Sequence, residues 1–222
     1  VRFTLQCGIG QRLMAETLKV EKSNLEYALE YSARLVLEGK VIAFPTDTFY
    51  GLGADPFNLA AITELFRIKR RSADRPIPLL VSSLDQAADL AADPPQLFFT
   101  LAKKFWPGAL TLVVRASRQI PLKVTANTGR VGIRWPRCSL AEALITAVGR
   151  PLTGTSANLS ERPACSTAAQ VEEQVGDVLP LILDGGATAG DNPSTVVQLE
   201  GDRPRILRFG DVSESDLKEF LS

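Results

Sequence analysis

The stretch Val41-Ile42-Ala43-Phe44-Pro45-Thr46-Asp47-Thr48-Phe49-Tyr50-Gly51-Leu52-Gly53 runs from four apolar residues through a proline into hydroxyls and glycines. A short apolar run closed by Pro and polar turn residues reads as a buried β-strand that ends in a loop. Upstream, Leu25–Leu37 places apolar residues at helical spacing and stops just before Gly39, which suits a helix C-terminus. Helix, glycine, strand and polar loop make up the repeating unit of an α/β fold. In such sheets ligands bind beyond the carboxyl ends of strands. The hydroxyls of Thr46, Thr48 and Tyr50 therefore stand where a ligand is expected. On residue types alone, a locally hydrogen-bonded turn fits the segment equally well.

The same pattern continues outward. Apolar runs at Pro78–Val81, Leu110–Val114, Val131–Arg134, Leu181–Leu183, Thr195–Leu199 and Arg205–Leu207 read as further strands. Five pairs read as helix starts: Ser23/Glu26, Ser83/Gln86, Ser139/Glu142, Thr167/Gln170 and Ser213/Asp216. In such a box each side chain satisfies an orphan backbone N–H near the helix start. The expected fold is α/β and single-domain: a twisted, mixed parallel and antiparallel sheet with flanking helices. It is mixed because Leu110–Arg134 carries few helical signals. Residues 1–20 show no pattern and are expected to be an N-terminal extension of unknown role. Residues 21–222 form the domain itself.

Composition narrows the chemistry. The 222 residues hold 25 Lys+Arg and 25 Asp+Glu, so zero net charge argues against a general nucleic-acid coat. Histidine is absent, which excludes a Ser-His-Asp triad, a Cys-His pair, a His-ligated zinc and an imidazole base from this chain. Cys7, Cys138 and Cys165 are far apart, as expected of reduced thiols in a cytoplasmic compartment. No apolar run approaches the roughly 18–20 residues of a bilayer span, so no membrane association is expected. Val1-Arg2-Phe3-Thr4 lacks a charged region followed by an apolar one, so no secretory signal is expected. Neither G-x-x-x-x-G-K-[ST] nor G-x-G-x-x-G after a strand occurs. A nucleotide site must therefore be assembled from several strand ends.

Other segments supply such ends. Arg67–Arg75 carries five cations and one anion, and Pro76 and Pro78 stop the helix there. Guanidinium forks and a Lys point charge suit a polyphosphate, and a solvated helix end accommodates them too. Thr153–Ser160 offers hydroxyls and an amide after the apolar Pro151-Leu152. The glycine-containing stretch from Asp184 to Val197 suits either a lid or a surface hairpin. Arg134 and Arg208 each close a strand. From the residues alone this is an α/β protein for an anionic ligand.

Taken in order, the segments resemble the YrdC/TsaC family of threonylcarbamoyl-AMP synthases. The resemblance rests on Phe44–Gly53 (P-T-[DE]-T-x-Y-G-L-G), Lys69-x-Arg71, Trp106-Pro107-Gly108 with Leu110-Thr111, and Val131–Pro136. It continues through Ser156-Ala157-Asn158, Asp184-Gly185-Gly186, Ser194–Val197 and Arg208-x-Gly210. It implies the short, single-domain form of the family, with a concave basic pocket and a catalytic domain over residues 21–222. It implies a reaction in which ATP, L-threonine and bicarbonate give threonylcarbamoyl-adenylate and pyrophosphate, the first step of tRNA threonylcarbamoyladenosine modification. Mg2+ is expected with ATP and no organic cofactor is expected. The expected partners are a downstream tRNA threonylcarbamoyl-transfer complex and weakly bound tRNA. Carried over by position, Lys69, Arg71, Ser156, Asn158 and Arg208 resemble the ATP contacts, with Lys69 and Arg71 expected to be catalytic. Thr46, Tyr50, Arg134 and Ser194 resemble the threonine side. Ser82, Arg130 and Ala164 depart from the family pattern, in which His, a small hydroxyl residue and Ser are common at those places. The alternative reading is an RNA-binding module with a basic concave face and no catalysis.

Overall fold

The structure is a computed structural model, described over residues 15–70, 72 and 74–220. Most of the proposed extension, residues 1–14, and the candidate Arg71 lie outside the described residues. The elements in order are β1 (Glu16–Lys19), α1 (Leu25–Leu37), β2 (Ile42–Phe44), β3 (Gly51–Gly53), α2 (Leu59–Lys69) and β4 (Leu79–Leu80). They continue with α3 (Leu84–Leu90), α4 (Gln96–Phe105), β5 (Leu110–Arg115), β6 (Arg130–Arg134), α5 (Ser139–Val148), β7 (Leu152–Thr153) and β8 (Thr155–Ser156). The rest are α6 (Ala168–Val175), β9 (Leu181–Asp184), β10 (Thr195–Glu200), β11 (Arg203–Arg208) and α7 (Glu214–Leu217).

The expected mixed sheet is present as two sheets. One runs β1-β9-β2-β3-β8 and the other β11-β10-β5-β6-β4-β7. Each combines parallel pairs, such as β2 with β9 and β5 with β10, and antiparallel pairs, such as β2 with β3 and β5 with β6. Every apolar run read as a strand is one. The short β3, β7 and β8, at two or three residues, offered no periodicity to read. Residues 16–19, within the proposed extension, pair with β9.

The first sheet is covered on both faces, which explains the unbroken Val-Ile-Ala-Phe run. Ile42 and Phe44 pack with Ala28 and Val36 of α1 and Leu144 and Ile145 of α5, while Ala43 joins Ala61, Ile62 and Leu65 of α2 in the larger core. The second sheet has one dry face and one open face. Leu110, Leu112, Val114, Val131, Ile133, Val197 and Leu199 are all at most 3% exposed on the dry face. Burial of each stabilises by about 1.5–3 kcal/mol. A one-residue slip would turn all of them outward, so the register is strongly specified. The alternate residues, Thr111 and Val113 on β5, Arg130, Gly132 and Arg134 on β6, and Val196 and Gln198 on β10, are thereby fixed on the open face.

The chain crosses between the two sheets at Gly154, between β7 and β8. A Cβ there would lie 2.5 Å from Leu80 Cγ, so only glycine passes so close. Helix starts divide. Ser83, Thr167 and Ser213 accept from the backbone three residues on, and Ser213 with Asp216 forms the complete reciprocal box. The other two expectations are corrected. α1 starts at Asn24 and α5 at Cys138, neither with a side-chain cap. Asn24 instead uses its amide on Glu21 N and Lys19 O, which fixes the preceding turn.

Candidate active site

A cavity of about 790 Å³ lies over the open face of the second sheet. Its floor is the alternate residues just named. Its walls are the β2–β3 loop, the end of α2 and residues 154–164. All eight described candidates line it: Thr46, Tyr50, Lys69, Arg134, Ser156, Asn158, Ser194 and Arg208. They come from six separated segments, so convergence follows from topology and from no local motif. Among the described lining residues, Lys69, Arg75, Arg130, Arg134, Arg162 and Arg208 are basic and Glu161 alone is acidic.

Lys69 ends α2, whose start is held by Asn58 accepting from Ala60 N and Ala61 N. Lys69 is 3% exposed, and its ammonium donates to Ser156 O at 2.6 Å and Asn158 O at 2.9 Å. Ser160 N donates in turn to Lys69 O. Ser156 Oγ lies 2.5 Å from Asn158 Oδ1, and the Asn158 amide nitrogen donates to Leu159 O and Arg162 O. Lys69 therefore shapes the Ser-Ala-Asn wall as well as adding its charge to the cavity.

Arg208 donates to Ser194 O at 2.7 Å and Ser194 Oγ at 3.1 Å, and Ser194 Oγ lies 2.8 Å from Thr111 Oγ1. Burial lowers the Arg208 guanidinium from its ordinary value. Gly210 makes this approach feasible, since a Cβ there would lie 2.0 Å from Pro193 O. At the same end of the cavity, Arg134 is 5% exposed. It donates from Nε to Gly108 O at 3.0 Å, from Nη1 to Thr48 Oγ1 at 3.0 Å, and from Nη2 to Asp47 Oδ1 at 2.5 Å. Burial pulls this guanidinium down and Asp47 pulls it back up.

In the β2–β3 loop the Thr46 and Thr48 hydroxyls meet at 3.1 Å, as their placement suggested. Tyr50 behaves differently. Tyr50 lines the cavity, but its hydroxyl donates to Gly186 O at 2.7 Å and lies 3.1 Å from Asp184 Oδ1. Burial and the Asp184 charge push this phenol well above its ordinary value. It thus ties down the Asp184–Gly186 turn. The glycine-containing stretch read as a lid or a hairpin divides between two cavities: Pro193, Ser194 and Val196 line this one. Ala187, Thr188 and Ala189 line a second cavity, of about 560 Å³, with Pro45, Asp47 and Cys138.

Of the departures, Arg130 and Ala164 line the first cavity and Ser82 lines neither. Arg130 pairs with Glu200 at 3.0 Å. Thr111, which enters the sequence reading only within the Leu110-Thr111 motif, and Arg162 are not among the candidate site residues. The two-residue period of β5 would have found Thr111, whereas Arg162 sits in a loop with no period to read. No group of three or more His, Cys, Asp or Glu that could hold a metal occurs among the described residues. No helix among them is long and apolar enough to cross a membrane.

Comparison with known proteins places this geometry. Residues 34–210 match the Sua5/YciO/YrdC family profile, which carries the description "Telomere recombination". The chain is 35% identical over 208 residues to the threonylcarbamoyl-AMP synthase of Pyrococcus abyssi, covering 94% of this chain and 61% of that protein. It thus spans less than two thirds of that relative. It is 35% identical over 177 residues to the Vibrio parahaemolyticus threonylcarbamoyl-AMP synthase, covering 78% of this chain and 94% of that one. The crystal structure of P. abyssi Sua5 complexed with L-threonine superposes with a TM-score of 0.88 at 33% identity, over 94% of this chain and 61% of that one.

Proposed function

The chain belongs to the Sua5/YciO/YrdC family, and from that premise we propose that it is a threonylcarbamoyl-AMP synthase, a nucleotidyltransferase using ATP, L-threonine and bicarbonate. The observation that carries the reading is the meeting of eight residues from six segments in one cavity with six cations in its lining. An anionic, multi-part substrate set needs such a lining.

In this reading Lys69 and Arg208, with Ser156 and Asn158, receive the phosphates of ATP. Arg71 joins Lys69 as the second catalytic cation beside the leaving pyrophosphate. Arg134, Thr46 and Ser194 orient threonine. Mg2+ arrives with ATP as part of that substrate, and the hydroxyls and the Glu161 carboxylate lining the cavity are hard oxygen donors suited to its hydrated ion. The threonine amine forms a bond to the carbon of bicarbonate, and water leaves. A carbamate oxygen then bonds to the α-phosphorus as the bond to pyrophosphate breaks. The protein's contribution is positioning and charge stabilisation. Proximity accounts for up to roughly 7–11 kcal/mol in well-oriented systems, and fixed cations act most strongly where water is excluded. No histidine takes part, since the chain has none. Cys138 and Cys165 are free thiols, which supports a reducing, cytoplasmic setting. The adenylate then passes to a tRNA-modifying complex that carries the group to the adenosine beside the anticodon.

The test is pyrophosphate release with each substrate omitted in turn. Release that requires ATP, threonine and bicarbonate together supports the reading. Release from ATP alone, or none from folded protein, contradicts it.

A further inference from the structure

Asp47 is a charged residue of the first loop that the proposed chemistry leaves unused. Its Oδ1 lies 2.5 Å from Arg134 Nη2, with the two side chains 14% and 7% exposed. The partners face different spaces. Arg134 lines the 790 Å³ cavity, whereas Asp47 lines the 560 Å³ cavity behind the loop, and Thr46 lines both. The loop is the wall between them. A ligand held in the first cavity meets the guanidinium and is separated from the carboxylate.

A guanidinium has five N–H groups in one plane. Gly108 O, Thr48 Oγ1 and Asp47 Oδ1 take one each, from Nε, Nη1 and Nη2 respectively. Three anchors fix the plane, and two N–H groups remain. Asp47 takes only one donor, so it orients the group more than it competes for it. A buried guanidinium without an anion is strongly disfavoured, and Asp47 supplies that anion.

We propose that Asp47 is a positioning residue: through Arg134 it aims the two remaining N–H groups at the carboxylate of the amino-acid substrate. This rests on the reading of Arg134 as the carboxylate contact. Asp47→Asn keeps the size and one acceptor but removes the charge. The full chain carrying it is assayed with L-threonine and with L-threonine amide, which lacks the carboxylate. KM for threonine should rise on the order of tenfold, the weight of one hydrogen bond to a charged group, while KM for ATP and kcat move by less than about twofold. The weak use of the amide should not change. A merely structural role would raise KM for threonine, amide and ATP together, and that outcome, or no change at all, overturns the proposal. Should Asp47→Asn fail to fold by circular dichroism, Asp47→Ser also removes the anion beside Arg134 and leaves a small hydroxyl in its place. It should show the same carboxylate-selective rise, and its absence overturns the proposal. Wild-type turnover that ignores threonine would instead remove the reading of the site, and the proposal with it.

Discussion

Lys69 performs two tasks with one ammonium. It donates to Ser156 O and Asn158 O, and it lines the cavity where phosphates are proposed. Lys69→Ala separates the tasks by magnitude. The carbonyls lose a donor, but water in the cavity can replace it, so stability should fall by only about 1 kcal/mol. Loss of a cation aimed at developing charge costs more, on the order of 10²–10³-fold in turnover. A melt and a pyrophosphate assay on the same sample check both. Near-wild-type turnover would assign Lys69 to the wall alone. At this scale the sequence was readable wherever a residue type matched a motif, as with Lys69, Thr46 and Arg134. The partnership of Asp47 with Arg134 was not, because it joins residues 87 positions apart. The direction of the Tyr50 hydroxyl was hidden for the same reason, its acceptors lying at 184 and 186.

Between elements, the contact of β11 with the start of β10 depends on one missing side chain. Gly210 packs its backbone on Pro193, Ser194 and Thr195, and Gly210 N donates to Thr195 Oγ1. Gly210→Ala forces backbone against backbone. Overpacking of this kind costs about 1–3 kcal/mol or more. The displacement should also carry Arg208 off Ser194, so KM for ATP should rise together with the loss in melting temperature. A variant with unchanged melting temperature would show that the two strands part freely. Longer strands such as β5 and β10 were legible as apolar runs. β3, β7 and β8 were not, since their pairing is set by the neighbours that position them. The capping pairs at Ser23 and Ser139 failed because the pattern is short and Asn24 and Cys138 start those helices in its place.

For the whole molecule, zero net charge conceals a cavity whose described lining holds six cations and one anion. Composition averages over the surface, and only the folded arrangement sorts the charges. The core that holds this arrangement can be tested through Cys165, which is fully buried and whose thiol burial pushes up to about 11. Below the ordinary thiol value, near 8.5, the folded and unfolded chains both carry it neutral. As pH rises from there to about 11, only the unfolded chain ionises, so this group removes stability over that window. At pH values near 8.5 a thiol reagent should modify Cys165 only as fast as the core opens, and immediately once the chain is denatured. Peptide mapping after labelling reads this directly. Labelling at the rate of a free thiol would show that the wall behind the cavity is loose.

The central claim is that this cavity joins threonine, bicarbonate and ATP into one adenylate. It is tested most directly by incubating the wild-type chain with ATP, L-threonine and ¹³C-bicarbonate and analysing the nucleotide products by mass spectrometry. The account predicts a threonine-containing adenylate that carries the ¹³C label, formed together with pyrophosphate and absent when threonine is left out. A folded chain that binds ATP yet yields only unlabelled nucleotides would contradict it.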